Sequence, residues 1–132
     1  MIYALDSNIV SYLLERRNQV VGKFSEAVAN GFFCVIPPMV YYEVKRWLFI
    51  KNAKSKMLRF EGIYRFTQKT SMDAELLDKA IEIYVVLAKN GNIISDSDIL
   101  IAAYCILNDY ILVSNNTNEF MRVPGLKLEN WV

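Results

Sequence analysis

The chain opens with Ile2-Tyr3-Ala4-Leu5, a short apolar run of β character that stops at Asp6-Ser7-Asn8. Those polar residues are N-cap candidates for an apolar-periodic helix from Ile9 to about Arg17. A second helix is expected over Gln19–Ala29, ended by Asn30-Gly31. Phe32–Ile36 reads as a buried strand closed by Pro37-Pro38, and Pro38 suits the first turn of a helix from Met39 to about Asn52. A basic helix follows over about Lys54–Arg65, then a candidate short strand at Phe66–Thr70. Ser71-Met72-Asp73 caps a long helix, Ala74–Lys89, that stops at Asn90-Gly91, and Ser95-Asp96-Ser97 opens another through Asn108. Tyr110–Val113 is a strand, 115–122 a polar loop or single turn, and Leu126–Leu128 a last short strand. Strands that alternate with helices predict an α/β fold with a short, mostly parallel central sheet flanked by helices.

No linker, repeat or low-complexity tract interrupts the pattern, so residues 1–132 are expected to form one domain. The 54% hydrophobic and 22% charged composition fits a compact fold rather than a disordered chain. No apolar run approaches the ~20 residues of a membrane span. No basic leader with an apolar h-region precedes Asp6, so no signal peptide is expected. Cys34 and Cys105 sit among apolar residues, as buried free thiols in a reducing cytoplasm would. The absence of histidine removes a His general base, a His-based ribonuclease mechanism and any His-containing zinc site.

Net charge is only +1, but its distribution is uneven. Residues 45–69 hold eight Lys or Arg against Glu61 alone, and residues 73–109 hold seven acids against Lys79 and Lys89. A basic stretch beside an acidic one suits a polyanion held over a cation-binding centre. It also suits an ordinary solvated helical hairpin.

Three acids occupy positions that a core would not choose. Glu43 falls inside the stripe Val40, Val44, Trp47, Leu48. Asp98 precedes Ile101, Ala102 and Cys105 at i+3, i+4 and i+7, which turns it inward. Asp6 directly follows the first strand, where the carboxyl edge of an α/β sheet carries its ligand site. Taken singly, Asp6 and Asp98 can serve as helix caps, and Glu43 can pair with Lys45, Arg46 or a distant Arg. Taken together they ask for a shared compensating charge. Oxygen ligands without His or Cys select a hard cation, Mg²⁺ or Mn²⁺.

In order along the chain, YALDSNIVSYLL, IPPMVYYEVKRWL, GNIISDSDILIAAYCI and YILVSNNTNEFMRVPGLKLENWV resemble the PIN-domain family, and within it VapC-type toxin ribonucleases of VapBC toxin–antitoxin systems. The resemblance spans residues 2–132 and implies a PIN-like three-layer fold. It implies a metal-dependent endoribonuclease that inhibits translation, with Asp6, Glu43 and Asp98 as catalytic metal ligands and Asp96 as a further candidate. Ser7, Asn8, Ser114 and Asn116 would support those ligands or touch phosphate, and Lys45, Arg46, Lys51 and Lys54 would carry the RNA backbone. The implied products carry 5′-phosphate and 3′-hydroxyl ends. Implied partners are RNA, a VapB-type antitoxin and a second copy of the chain, with no membrane. Tyr41, Tyr42, Trp47, Leu48, Phe49 and Phe60 are candidates for the antitoxin surface.

One position departs from the family pattern. Asn116 stands where many PIN domains have a fourth acid, with Asp96 or Glu119 as substitutes. The alternative reading is therefore a non-catalytic PIN-like RNA- or protein-binding module with a degenerate metal site. A receiver-type signalling domain fits badly, because Ser7-Asn8 and Ser114–Asn116 replace its paired acids and its late lysine.

Overall fold

A computed structural model describes residues 1–65 and 72–132. The candidate strand Phe66–Thr70, with Ser71 of the cap after it, lies outside the described residues. The described strands are β1 (Ile2–Leu5), β2 (Phe33–Val35), β3 (Ile111–Val113) and β4 (Lys127–Glu129). They form a sheet of order β2-β1-β3-β4 in which every neighbouring pair is parallel. The sheet is thus wholly, not mostly, parallel. Around it stand α1 (Ser7–Leu14), α2 (Asn18–Ala29), α3 (Pro38–Ile50), α4 (Lys54–Tyr64), α5 (Ala74–Lys89), α6 (Asp96–Asn108) and the single turn α7 (Thr117–Phe120).

Local chemistry sets these boundaries. Gly31 and Gly91, just past the ends of α2 and α5, adopt φ of +80° and +66°, a conformation glycine enters without a Cβ penalty. Asp73 caps α5 by accepting the Leu76 N–H at 3.0 Å, and Ser95 caps α6 by accepting the Asp98 N–H at 3.2 Å. The first helix ends earlier than its periodicity predicts, at Leu14, because Arg16 turns into the left-handed region at φ +58° and starts a new direction for α2. The last strand is displaced by one residue from its predicted span, since Lys127 and not Leu126 pairs with Ile111.

The buried side chains form one continuous cluster. Leu5 of β1 and Leu112 and Val113 of β3 lie at its centre, with Ile9, Val10 and Leu14 from α1 against them. Val40, Val44 and Leu48 pack in from α3, and Ile101, Ala102 and Cys105 from α6. Trp47 corrects the predicted α3 stripe: it is 40% exposed, so the buried face of α3 is narrower than the apolar pattern. Cys34 and Cys105 are free thiols, and burial raises both above the usual range, Cys34 to about 11. Among the described residues no helix is long and apolar enough to cross a membrane.

The topology defines one crevice. From β1 the chain moves outward to β2, then returns through α3–α6 to β3 on the opposite side of β1. That reversal opens the carboxyl edge of the sheet between β1 and β3, where α/β proteins bind ligands.

Leu112 is fully buried in a central strand, whereas Leu58 of α4 is 72% exposed. Chemical denaturation is expected to show Leu112→Ala losing about 2–5 kcal/mol. Leu58→Ala should stay within about 0.5 kcal/mol of the parent.

Candidate active site

Parallel register carries Asp6 and Ser114 to the same edge. Leu5 pairs with Val113, so the next residue on each strand leaves the sheet beside the other, and the Asp6 N–H donates to the Val113 carbonyl at 2.9 Å. Asp6 is buried, and both of its carboxylate oxygens accept from neutral groups: Oδ1 from the Ser7 N–H at 2.8 Å, Oδ2 from the Ser114 hydroxyl at 2.7 Å. The fully buried Ser114 oxygen in turn accepts the Asn116 N–H at 2.9 Å. Ser114 therefore holds the first acid to the turn that follows β3.

Two more acids face the same cleft. Pro37-Pro38 ends β2 and starts α3, whose second turn brings up Glu43, and its Oε1 accepts the Ser7 hydroxyl at 3.0 Å. Asp98, on the first turn of α6, accepts the Asn116 side-chain amide on Oδ2 at 3.0 Å. Asp6, Ser7, Asn8, Glu43, Asp98, Asn115 and Asn116 line one open cleft of about 390 Å³. Asn115 and Asn8 close its far side, the Asn115 N–H donating to Asn8 Oδ1 at 3.3 Å.

The acids feel one another. Burial, opposed by the Ser114 and Ser7 hydrogen bonds, raises the Asp6 carboxyl above its ordinary value, and Glu43 adds to the rise. Asp98 is pushed up to about 6, first by burial and then by the charges of Asp6, Glu43 and Glu119, against the Ser95 hydrogen bond. None of the ion pairs among the described residues involves Asp6, Glu43 or Asp98. The pairing of Glu43 with Lys45 or Arg46 that the sequence allowed is absent: Lys45 turns away to the Tyr41 hydroxyl at 2.8 Å and toward Glu61 at 3.9 Å.

The three carboxylates share a cleft without forming a closed ligand shell. Among the described residues no group of three His, Cys, Asp or Glu side chains is close enough to hold a metal ion as it stands. Each of these acids accepts from a neutral hydroxyl or amide donor. The donor set still fits a hard divalent cation, with carboxylate oxygens, amide oxygens beside them and no competing nitrogen or sulfur. Asp98 does not project deep into the core, as its apolar i+3 and i+4 neighbours suggested, but stands half-buried at the rim.

Other predicted residues fall outside the cleft. Asp96 is exposed on the α6 first turn and is not among the lining residues, whereas Glu119 is near enough to perturb Asp98. The basic stretch is not one track. Arg46 lines an adjoining groove with Ser7, Ser11, Glu43, Val44, Trp47 and Ile50; Lys54 lines a separate one with Leu48, Phe49, Met57 and Leu58; Lys51 is exposed at the end of α3. Of the predicted antitoxin surface, Leu48 and Phe60 are core, while Tyr42, Trp47 and Phe49 are exposed. Ser11 and Asn115 were not singled out in the sequence. Ser11 stands one turn after Ser7 on α1, and that i+4 spacing was the signal that could have found it.

Residues 3–126 match the family model described as PIN domain. The chain is 30% identical to Ribonuclease VapC2 of Rickettsia felis, over 99% of this chain and 98% of that protein. It is 34% identical to the tRNA(fMet)-specific endonuclease VapC of Shigella flexneri, over 98% and 97%. Its fold superposes at a TM-score of 0.90 and 27% identity on a chain in the crystal structure of VapBC2 from Rickettsia felis bound to a DNA fragment from their promoter, with 100% of both chains covered.

Two measurements probe this electrostatic arrangement. An Asp98 carboxyl raised to about 6 makes the folded chain bind more protons than the unfolded one between pH ~4 and ~6. The stabilising contribution of protonated Asp98 is therefore complete below pH ~4 and lost as pH rises through 6. In chelator-treated protein, Asp98→Asn should be more stable than the parent above pH 6, with the gap narrowing toward pH 4 in urea titrations. Ser114→Ala removes a donor from buried Asp6 and should cost about 1–3 kcal/mol by the same assay.

Proposed function

The chain belongs to the PIN-domain family, and on that footing we propose that residues 1–132 act as a single-domain, metal-dependent endoribonuclease, the toxin of a type II toxin–antitoxin pair. The observation that carries this reading is the shared cleft of Asp6, Glu43 and Asp98, whose carboxylates are held by neutral donors and by no Lys or Arg among the described ion pairs. The VapC relatives named ribonuclease and tRNA(fMet)-specific endonuclease support RNA as the substrate class.

In this mechanism Asp6, Glu43 and Asp98 would hold Mg²⁺ or Mn²⁺, which would supply Lewis-acid charge to the phosphoryl group and its hydrolytic water. The protein's own part is orientation. Ser114 and the Ser7 N–H fix Asp6, the Ser7 hydroxyl fixes Glu43, and the Asn116 amide fixes Asp98. The amino end of α6 directs partial positive charge to the same cleft, where a phosphate would lie. Asn8 and Asn115 offer neutral hydrogen-bonding groups in the cleft. Hydrolysis would leave 5′-phosphate and 3′-hydroxyl ends, as the family resemblance implies.

The partners follow from the surface. The VapBC complex supports an antitoxin as one partner, and the apolar groove lined by Phe49, Ala53, Met57 and Leu58 is where its apolar side chains would dock. A second copy of the chain would use Leu77, Ile81, Tyr84 and Val85, an exposed stripe on α5 at helical spacing. The site of action is the cytoplasm.

A non-catalytic binding module is the second reading, favoured by Asn116 in place of an acid. Metal-dependent cleavage separates the two. Purified protein with Mg²⁺ or Mn²⁺ should cut RNA, initiator-type tRNA being the first substrate to try, and should stop in chelator. Asp6→Asn and Asp98→Asn should each reduce cleavage to background while the fold persists by circular dichroism. Ser114→Ala should raise the Mg²⁺ concentration for half-maximal rate about 10- to 100-fold. Wild-type rates in the Asp variants would remove the acids from the mechanism.

A further inference from the structure

Beside the acidic cleft runs a second groove of about 330 Å³, lined by Ser7, Ser11, Glu43, Val44, Arg46, Trp47 and Ile50. It shares Ser7 and Glu43 with the cleft, so the two are continuous. Its wall is one stripe of α3: Glu43, Arg46, Trp47 and Ile50 stand at i, i+3, i+4 and i+7. Trp47 therefore lies about 6 Å along the helix axis from Glu43.

The chemistry of this groove differs from that of its neighbour. Trp131 is buried in the core, but Trp47 leaves 40% of its surface open. The Lys56 ammonium lies 5.5 Å from the Trp47 ring centre, and the Arg46 guanidinium lies 4.9 Å from that of exposed Tyr42. Exposed aromatic rings interleaved with cations are the elements of a single-stranded nucleic-acid platform, in which rings stack on bases and cations follow phosphates. Three carboxylates by themselves disfavour a phosphate backbone, so part of the affinity for RNA has to come from beside the cleft. Among the described residues that line the cleft and this groove, Arg46 alone carries positive charge.

We propose that Trp47 stacks on an RNA base next to the phosphate seated over Asp6, Glu43 and Asp98, with Arg46 on the adjoining phosphate, making this groove a positioning and specificity subsite for single-stranded RNA. The proposal rests on the ribonuclease reading for the polarity of the cleft. Its binding readout stands apart from cleavage.

The test uses a mixed-sequence single-stranded RNA oligonucleotide. In the cleavage-deficient Asp98→Asn protein, titrating this RNA should quench tryptophan fluorescence, and adding Trp47→Phe should remove the quench while keeping affinity within a few-fold. Trp47→Leu, which keeps apolar packing but loses the flat ring, should weaken binding about tenfold or more. In otherwise wild-type protein the Leu variant should show its loss in KM rather than kcat, and the Phe variant should restore much of it. Thermal melts of both variants separate this loss from unfolding.

A quench that survives Trp47→Phe, or RNA affinity and KM unmoved by Trp47→Leu, would overturn the assignment. So would a Leu variant that binds RNA normally but loses binding to an antitoxin, since that outcome gives the groove to a protein. If wild-type protein cuts no RNA yet the Trp47-dependent quench is present, the nuclease reading fails and the RNA subsite stands.

Discussion

The hydrogen bond from Ser114 to Asp6 joins the ends of the two central strands, and the rest of the site is arranged around it. A carboxylate at this depth is costly in an apolar surround. The Ser7 N–H and the Ser114 hydroxyl, each donating to one carboxylate oxygen, offset part of that cost without a neutralising cation side chain. Because Ser114 also accepts from Asn116, and Asn116 donates to Asp98, a single chain of neutral donors runs from the deepest acid to the outermost. Negative charge is concentrated while every donor that steadies it stays uncharged. That leaves the net field of the cleft free to act on a mobile cation.

Most of the fold was legible because it rests on short-range patterns. The Ile2–Leu5 strand and the α5 bounds emerged as read, from an apolar run closed by polar caps and a periodic helix between Asp73 and Asn90-Gly91. The misreadings had local causes. Arg16 cut α1 short through a left-handed backbone that no side-chain pattern announces, and tertiary pairing moved β4 by one residue. Trp47 looked like core because periodicity reports which face of a helix is apolar, not where the neighbouring element stops covering it.

The site was legible to a different degree. Asp6, Glu43 and Asp98 stood out because each broke an apolar context, and they do line one cleft. Their spacing was not legible, since it depends on which neutral donors the fold brings near each acid. The contest between Asp96 and Glu119 was equally invisible. In the fold Asp96 is exposed, neither residue lines the cleft, and Glu119 comes within electrostatic reach of Asp98. The basic stretch looked uniform in the sequence, yet helix geometry divides it: Lys45 faces Tyr41 and Glu61, Lys54 borders an apolar groove, and among the described residues lining the cleft and its adjoining groove Arg46 is the one cation beside the acids.

The cleft draws on β1, α3, α6 and the turn after β3, so its members are spread from Asp6 to Asn116 in a chain of 132 residues. A fragment that stops before Asn115 lacks part of the lining. On the proposed nuclease reading, the cleft is assembled only when segments far apart in the chain have come together.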